Sequence, residues 1–399
     1  MEKQYLAKVN MSKLERLIQQ YCPDGVEYVP LSSIGTIKRG NGLQKKDFVK
    51  AGIGCIHYGQ IYTKFGLFTN KTLTYVDKEL ADHLLHIEKG DLVIACTSEN
   101  VEDVCKAVAW LGDDSIVTGG HSCVLHHNQN PKYIAYFFQT ESFQRQKRKY
   151  AYGTKVIDIK PDSIGKIEIP LPPLPVQEEI VRILDAFTEL QAELQAELQK
   201  RKQQYNYYRD NLLSNGGNNA EYLAIPEFAE LKAGKAIKAT ELSSIMDENH
   251  SYPCFGGNGI RGFIKKASHN GDYAIIGRQG ALCGCVNWAS GEFYATEHAV
   301  VCTPRFNVSS RYLYHLFTVA DLNQYKSQGA QPGLSVQRLN ELVFPIPSIA
   351  EQQRIVSILD RFDTLTTDLT QGLPAEIEKR RQQYEFYRDK LLTFKRKEA

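Results

Sequence analysis

The sequence predicts an α+β chain: two similar mixed α/β domains separated by two long helices packed as an antiparallel coiled coil, an internal repeat with pseudo-two-fold symmetry. Three observations predict it. Pro170-Leu171-Pro172, Gln177, Ile180-Val181, Ile183-Leu184-Asp185 and Phe187 return as Pro345-Ile346-Pro347, Gln352, Ile355-Val356, Ile358-Leu359-Asp360 and Phe362, a constant displacement of 175 residues. Gln203-Gln204-Tyr205, Tyr208-Arg209-Asp210 and Leu212-Leu213 return as Gln382-Gln383-Tyr384, Tyr387-Arg388-Asp389 and Leu391-Leu392, displaced by 179. After each Pro-x-Pro, apolar residues step by threes and fours like one face of a helix; before each, short apolar runs alternate with Gly and Asp turns, as in strands.

Residues 1–21 are expected to hold a short amphipathic helix, opened by Ser12, carrying Leu14, Leu17 and Ile18, and closed by Cys22-Pro23-Asp24-Gly25. Residues 22–169 form the first domain, with strands at runs such as Leu92-Val93-Ile94-Ala95 and Ser122-Cys123-Val124-Leu125 and a helix near Pro131–Gln146. Residues 170–215 are the central helical spacer. Its seam runs through Ile180, Leu184, Phe187, Leu190, Leu194, Leu198, Tyr205, Tyr208 and Leu212, interrupted only around Arg201. Within it Thr188–Gln199 is one four-residue unit three times over, twice as Ala-Glu-Leu-Gln, a strongly helix-forming sequence.

Residues 216–344 repeat the first domain loosely. Gly271-Asp272 with Ala274-Ile275-Ile276 answers Gly90-Asp91 with Val93-Ile94, Glu297-His298 stands before Val300 as His121 does before Val124, and Tyr312-Leu313-Tyr314 echoes Tyr133-Ile134-Ala135. Residues 345–399 form the C-terminal helical spacer, with a seam through Ile355, Leu359, Phe362, Leu365, Leu369, Ile377, Tyr384, Tyr387 and Leu391. Gly372-Leu373-Pro374 lies where the displacement grows from 175 to 179, and a proline cannot sit inside a straight helix, so a kink or break is expected there. The two stripes are most cheaply buried against each other; the alternative is that each arm lies over its own domain.

A chain of 399 residues exceeds one ordinary domain, and each repeat can bury a core of its own. It has no apolar run near the ~20 residues of a membrane span and no signal-peptide pattern, so a cytoplasmic location off the membrane is expected. Nine cysteines without a C-x-x-C pair read as reduced core thiols, and Cys283-Gly284-Cys285 lacks a second ligand pair for zinc. His126-His127 reads as a solvated turn. A net charge of +2, from 48 basic against 46 acidic residues, excludes a uniformly basic coat but leaves room for local basic loops.

Catalytic constellations are missing. Ala233-Gly234-Lys235-Ala236 lacks the upstream Gly and the Ser or Thr of a phosphate loop, Glu168-Ile169-Pro170 has proline where a nuclease motif needs lysine, and no Asn-Pro-Pro-aromatic motif occurs. The chain reads as a non-enzyme. Instead it carries basic, amide-rich segments: Arg145, Lys147 and Arg148 lead into Thr154 and Lys155, and Gln328 and Gln331 occupy the matching place in the second half. Lys64, Lys71, Arg261, Lys265 and the pair Arg278-Gln279 complete the candidate DNA-binding set. Cations neutralise phosphates, and Arg, Lys and Gln read base edges in the major groove. A solvated surface charge competes as the reading of any one residue, and recurrence in both halves is the stronger signal.

With these residues in view, the chain resembles the specificity subunit of type I restriction-modification enzymes over essentially its whole length. The resemblance rests on the recurrent Pro-x-Pro leading through Gln177-Glu178-Glu179-Ile180 or Gln352-Gln353-Arg354-Ile355 to Ile-Leu-Asp, on the Tyr-rich helix ends and on the Ala-Glu-Leu-Gln units. Phe255-Gly256-Gly257-Asn258-Gly259-Ile260-Arg261-Gly262 and Gly277-Arg278-Gln279-Gly280 are similar to motifs of that family's target recognition domains. The resemblance implies two such domains, each binding one half of a split double-stranded DNA sequence. It also implies partners: methyltransferase (modification) subunits that bind S-adenosylmethionine and modify adenine, and restriction/translocase subunits that use ATP and Mg²⁺, with no cofactor in this chain. The rival reading is a bivalent coiled-coil scaffold that pairs proteins without touching DNA.

The repeated unit then acts as a ruler. One Ala-Glu-Leu-Gln block adds about 6 Å and about 40° of helix, while duplex DNA advances about 3.4 Å per base pair. Deleting Ala192–Gln195, or adding a block after Gln199, is expected to change the spacer between half-sites by about one or two base pairs. Methylation mapping is the check: altered half-sites, or an unaltered spacer with full activity, refute it.

Overall fold

The computed structural model describes residues 13–214, 216, 220–327, 332–368 and 370–398. The chain divides into two compact units, Met1–Glu193 with Ile377–Ala399, and Leu194–Glu376, so the division falls inside the Ala-Glu-Leu-Gln repeats.

In the first unit a five-stranded sheet runs in the order Gly35–Arg39, Ser122–His127, Leu92–Ala95, Ala107–Trp110, Phe68–Thr69, beside a four-stranded sheet ordered Thr74–Val76, Ile53–Ile56, Ile116–Thr118, Leu85–Ile87. The second unit repeats this with Ala229–Ala233, Ala299–Pro304, Tyr273–Gly277, Val286–Ala289 in one sheet and Gly259–Ile264, Tyr252–Gly256, Glu292–Ala295, His269–Asn270 in the other. The second sheet of each unit contains a parallel pair at the same place, Ile53–Ile56 with Ile116–Thr118 and Tyr252–Gly256 with Glu292–Ala295. The sequence alternation explains the layering. Leu92 and Ile94 enter the core shared with the helices while Val93 and Ala95 enter the core against the second sheet, so the strand is buried on both faces. Ile276 and Ile275 divide in the same way in the second unit.

The central helix, Leu174–Ser214, is continuous over 41 residues. The returning arm is two helices, Ile349–Thr367 and Leu373–Leu391, interrupted at the expected place. Pro374 falls in the first turn of the second piece, where a missing N–H costs nothing. The arms pair inside each unit through the same two residue types. Phe187 stacks on Tyr387 at 5.5 Å in the first unit, and Phe362 stacks on Tyr208 at 6.0 Å in the second. Between these anchors the seam is looser than a closed coiled coil, for Leu190, Leu194 and Leu198 are only half-buried and Leu365 is exposed. Leu369 lies outside the described residues.

Each globular part is fastened to its arm by one recurring joint. Gln177 is fully buried: its Oε1 accepts from the Asn130 N–H at 3.1 Å, and its Nε2 donates to the Pro172 carbonyl at 2.8 Å and to Gln129 Oε1 at 2.9 Å. Gln352, equally buried, accepts from the Ser309 N–H at 2.9 Å and donates to the carbonyls of Pro347 at 2.8 Å and Asn307 at 3.1 Å. Tyr133 and Tyr312 donate their hydroxyls to the Pro170 and Pro345 carbonyls. Two turns along each helix an aspartate completes the joint. Asp185 accepts from Lys132 Nζ at 2.7 Å and Tyr136 Oη at 2.8 Å, and Asp360 accepts from Arg311 Nε and His315 Nε2, both at 2.8 Å.

Several expectations are corrected. His126 and His127 end a strand rather than making a solvated turn: His126 Nδ1 lies 2.7 Å from Asp91, and burial pushes His127 down to about 4. Cys96 and Cys123 are joined as a disulfide, because adjacent antiparallel strands bring their Cα atoms within 6.2 Å; the other seven cysteines are free. Two short helices, Pro131–Phe137 and Glu141–Lys147, stand where one was expected, divided at Thr140, whose hydroxyl caps the second by accepting from the Phe143 N–H. No helix among the described residues is long and apolar enough to cross a membrane.

Replacing Gln352 with Leu strands a buried N–H and two carbonyls and should remove about 2–4 kcal/mol from the second unit, and Gln177→Leu should do the same to the first. Urea unfolding measures both; a loss below about 1 kcal/mol in either would show that the amide does not hold the joint.

Candidate nucleic-acid interface

The turn that leads into Ser122–His127 in the first unit and into Ala299–Pro304 in the second is built identically in the two units. In the first, the Ser122 N–H donates to Gly119 O at 3.0 Å, the Cys96 N–H to His121 O at 2.8 Å, and the Gly40 N–H to Ser122 O at 2.9 Å. In the second, the Ala299 N–H donates to Thr296 O at 2.9 Å, the Arg278 N–H to His298 O at 2.9 Å, and the Gly234 N–H to Ala299 O at 3.0 Å. The backbone thus places His121 and His298 at equivalent points, 177 residues apart, while the side chains around them differ.

Around His121 the first unit assembles rings and hydroxyls. Tyr58 lies 4.7 Å from His121 and 4.5 Å from His57 between ring centroids, and Thr97 Oγ1 sits 3.0 Å from His121 Nδ1. Burial, with Lys45 and His121 nearby, holds His57 below the ordinary histidine range. Arg39 braces the turn from behind. Its Nη1 and Nη2 fork onto Asp158 at 3.1 and 2.7 Å and its Nε donates to the Gly120 carbonyl at 2.9 Å. Tyr152 donates to the same Asp158 at 3.2 Å, so the exposed loop carrying Thr154 and Lys155 is tied to this cluster.

Around His298 the second unit assembles charge. His298 Nε2 lies 3.1 Å from Glu297 Oε1, and Arg278 leaves the neighbouring strand directly opposite. The glycines of the two motifs make this possible: a Cβ at Gly277 would collide with the Gly257 carbonyl, and one at Gly256 with the Arg261 side chain. Arg261, Arg278 and Gln279 therefore gather around one hairpin turn, with Gln279 bridged to Gly333.

The other sequence candidates fall elsewhere. Lys64 is exposed at the far end of the short helix Tyr58–Thr63, which begins after His57. Lys71 is exposed in the turn closed by Thr69, and Lys265 is exposed just beyond the strand bearing Arg261. The segment Arg145–Arg148 is not a loop but a helix and its C-cap, whose first residue contacts Asp389 and whose Gln146 bonds the Glu168 backbone, so exposed Arg145 and Arg148 sit beside the arm. Lys147 is a correction: it is buried, donates Nζ to the Glu102 and Val104 carbonyls at 2.8 and 2.9 Å, and is pushed down to about 8 by burial, so it cannot reach a phosphate. Gln328 and Gln331 lie outside the described residues. Sequence reasoning missed Arg39, His57, Tyr58, Asp158, Glu297 and the part of His121 and His298 beyond marking the repeat.

His315, Asp360 and Asp363 bring three ligating atoms within 4.8 Å of one another, but both His315 and Arg311 already donate to Asp360, which makes this an ion-paired joint.

Arg39→Lys keeps the charge and loses the fork, and should lower the stability of the first unit by about 1–2 kcal/mol. Chemical unfolding beside Asp158→Asn tests it; an unchanged midpoint for both would mean the fork does not brace the turn.

The chain matches the family described as the type I restriction modification DNA specificity domain twice, over residues 23–201 and 218–379. It is 45% identical over 248 residues to the Escherichia coli protein named type I restriction enzyme EcoprrI specificity subunit, a match covering 59% of this chain and 62% of that one. To the Escherichia coli EcoR124I/EcoR124II specificity subunit it is 31% identical over 425 residues, covering 98% of each. Its fold is similar to the solved S subunit of the type I system of M. genitalium, with a TM-score of 0.55 at 16% identity over 92% of this chain and 96% of that one. A chain solved in work on complex assembly and conformational transition of the type I R-M system gives a TM-score of 0.61 at 16% identity, covering 93% and 98%. The chain belongs to the family of type I restriction-modification DNA specificity subunits.

Proposed function

We propose that each unit reads one half of a bipartite double-stranded DNA target, and that methyltransferase and restriction/translocase subunits act on adenine and on the duplex according to what is read. S-adenosylmethionine, ATP and Mg²⁺ belong to those partners in this reading. This chain supplies recognition without chemistry, in the cytoplasm. The observation that carries the proposal is the pair of equivalent strand-end turns: one backbone, built twice, carries Tyr58 and His121, backed by buried Thr97, in one unit and Arg278, Glu297 and His298 in the other. A fixed scaffold with different hydrogen-bonding groups at its tip is what reading two different base sequences requires. Exposed Lys64, Lys71, Lys155 and Lys265 supply phosphate contacts, which position the duplex without reading it. A protein-pairing scaffold would have no use for this divergence at a conserved geometry.

Exchanging residues 24–168 for the corresponding domain of a relative should change one half of the methylated sequence and leave the other intact. Methylation mapping of cells that express the complex reads the outcome; a change in both halves, or in neither with methylation retained, would sink independent reading. Lys155→Ala should lower the slope of log affinity against log salt by about 1 without altering either half-site.

A further inference from the structure

Among the described residues five buried side-chain polar atoms lack a hydrogen-bond partner, and three of them are Arg278 Nε, Glu297 Oε2 and His298 Nδ1. They cluster. Gly277 pairs with Ala299 at the strand ends, and one residue beyond them the Arg278 N–H donates to the His298 carbonyl at 2.9 Å, which sets Arg278 against the turn carrying Glu297 and His298. His298 Nε2, 3.1 Å from Glu297 Oε1, engages one carboxylate oxygen, while the other is buried without a partner. A buried donor or acceptor without a partner is costly, and here a cationic donor opposite His298 and an anionic acceptor on the residue before it both lack a partner.

We infer that Arg278 and Glu297 read one guanine·cytosine pair in the half-site of the second unit, with His298 as a positioning residue for the carboxylate. This rests on the bipartite reading proposed above. The chemistry selects the pair. In the major groove guanine offers the N7 and O6 acceptors that arginine takes, and cytosine offers the N4 amino donor that a carboxylate takes. The carboxylate makes the choice sharp, because near a phosphate backbone it repels wherever no base amino group compensates it. Gln279 and Arg261 flank the cluster on the exposed side. The first unit cannot make this reading at its equivalent turn: Gly120 stands in the place of Glu297, and Cys96, bonded to Cys123, in the place of Arg278.

The test uses the full chain with the modification and restriction subunits of its own system and maps adenine methylation genome-wide for the unaltered protein, Glu297→Gln and Arg278→Lys. Glu297→Gln preserves shape, and Arg278→Lys preserves charge and serves if the first variant fails to fold. In either variant, discrimination at one G·C position of the half-site assigned to the second unit should fall about five- to a hundredfold, with the other half-site unchanged. Glu297→Gln should also strengthen binding to non-target duplex. Strict G·C recognition in both variants, relaxation at an A·T position instead, or a half-site without any G·C pair overturns the inference. Exchange of residues 24–168 separates the failures. If it changes one half-site while both variants stay strict, only this assignment falls; if it changes both or neither, the bipartite reading falls first.

Discussion

A buried amide at the root of each arm, Gln177 or Gln352, decides where a globular part ends and a helix begins. Its carbonyl oxygen takes a backbone N–H from the loop before the first packing helix, and its nitrogen takes the second proline carbonyl of Pro-x-Pro, an acceptor that no strand or helix ladder uses. The prolines matter for the same reason. Lacking N–H groups, they end the last strand without leaving a donor unpaired, and the free carbonyls that follow need a partner that can be supplied only by a side chain. Tyr133 and Tyr312 take the first carbonyl, the glutamines the second. Angle and rotation of the helix against its sheet are thereby set by directional bonds rather than by apolar contact alone, and in each unit the strand-end turn inherits that orientation.

This joint was legible in the sequence as a repeat but not as an interaction. Gln177 and Gln352 stood out by recurrence, whereas their partners, Asn130, Asn307 and Ser309, lie in loops of different sequence and contribute mostly backbone groups that carry no side-chain signature. The arms were largely legible because a helix face has a period: the apolar seam and the break before Pro374 followed from residues alone, whereas the stacking of Phe187 on Tyr387 and of Phe362 on Tyr208 did not. The recognition turn was legible least. Arg39, Asp158 and Gly120 are 119 and 81 residues apart along the chain and meet only through sheet order. Lys147 misled for the converse reason, since a helix period within a run of cations turns one of every three or four inward.

The electrostatics of the two turns divide what a specific DNA reader must combine. In the first unit the charge is spent internally, as Arg39 and Asp158 neutralise each other behind a surface of rings and hydroxyls. In the second, Glu297 lies against His298, and Arg278 Nε and Glu297 Oε2 have no partner.

The interruption at Thr367–Leu373 matters beyond the local effect of a proline. A two-armed molecule in which both helices ran unbroken would be locked to one length, since lengthening either arm would force every aromatic contact on the other out of step. Here the rigid arm carries the tandem units and the jointed arm carries the slack. The break lies between Phe362 and Tyr387, so each aromatic anchor of the returning arm sits on a helix of its own.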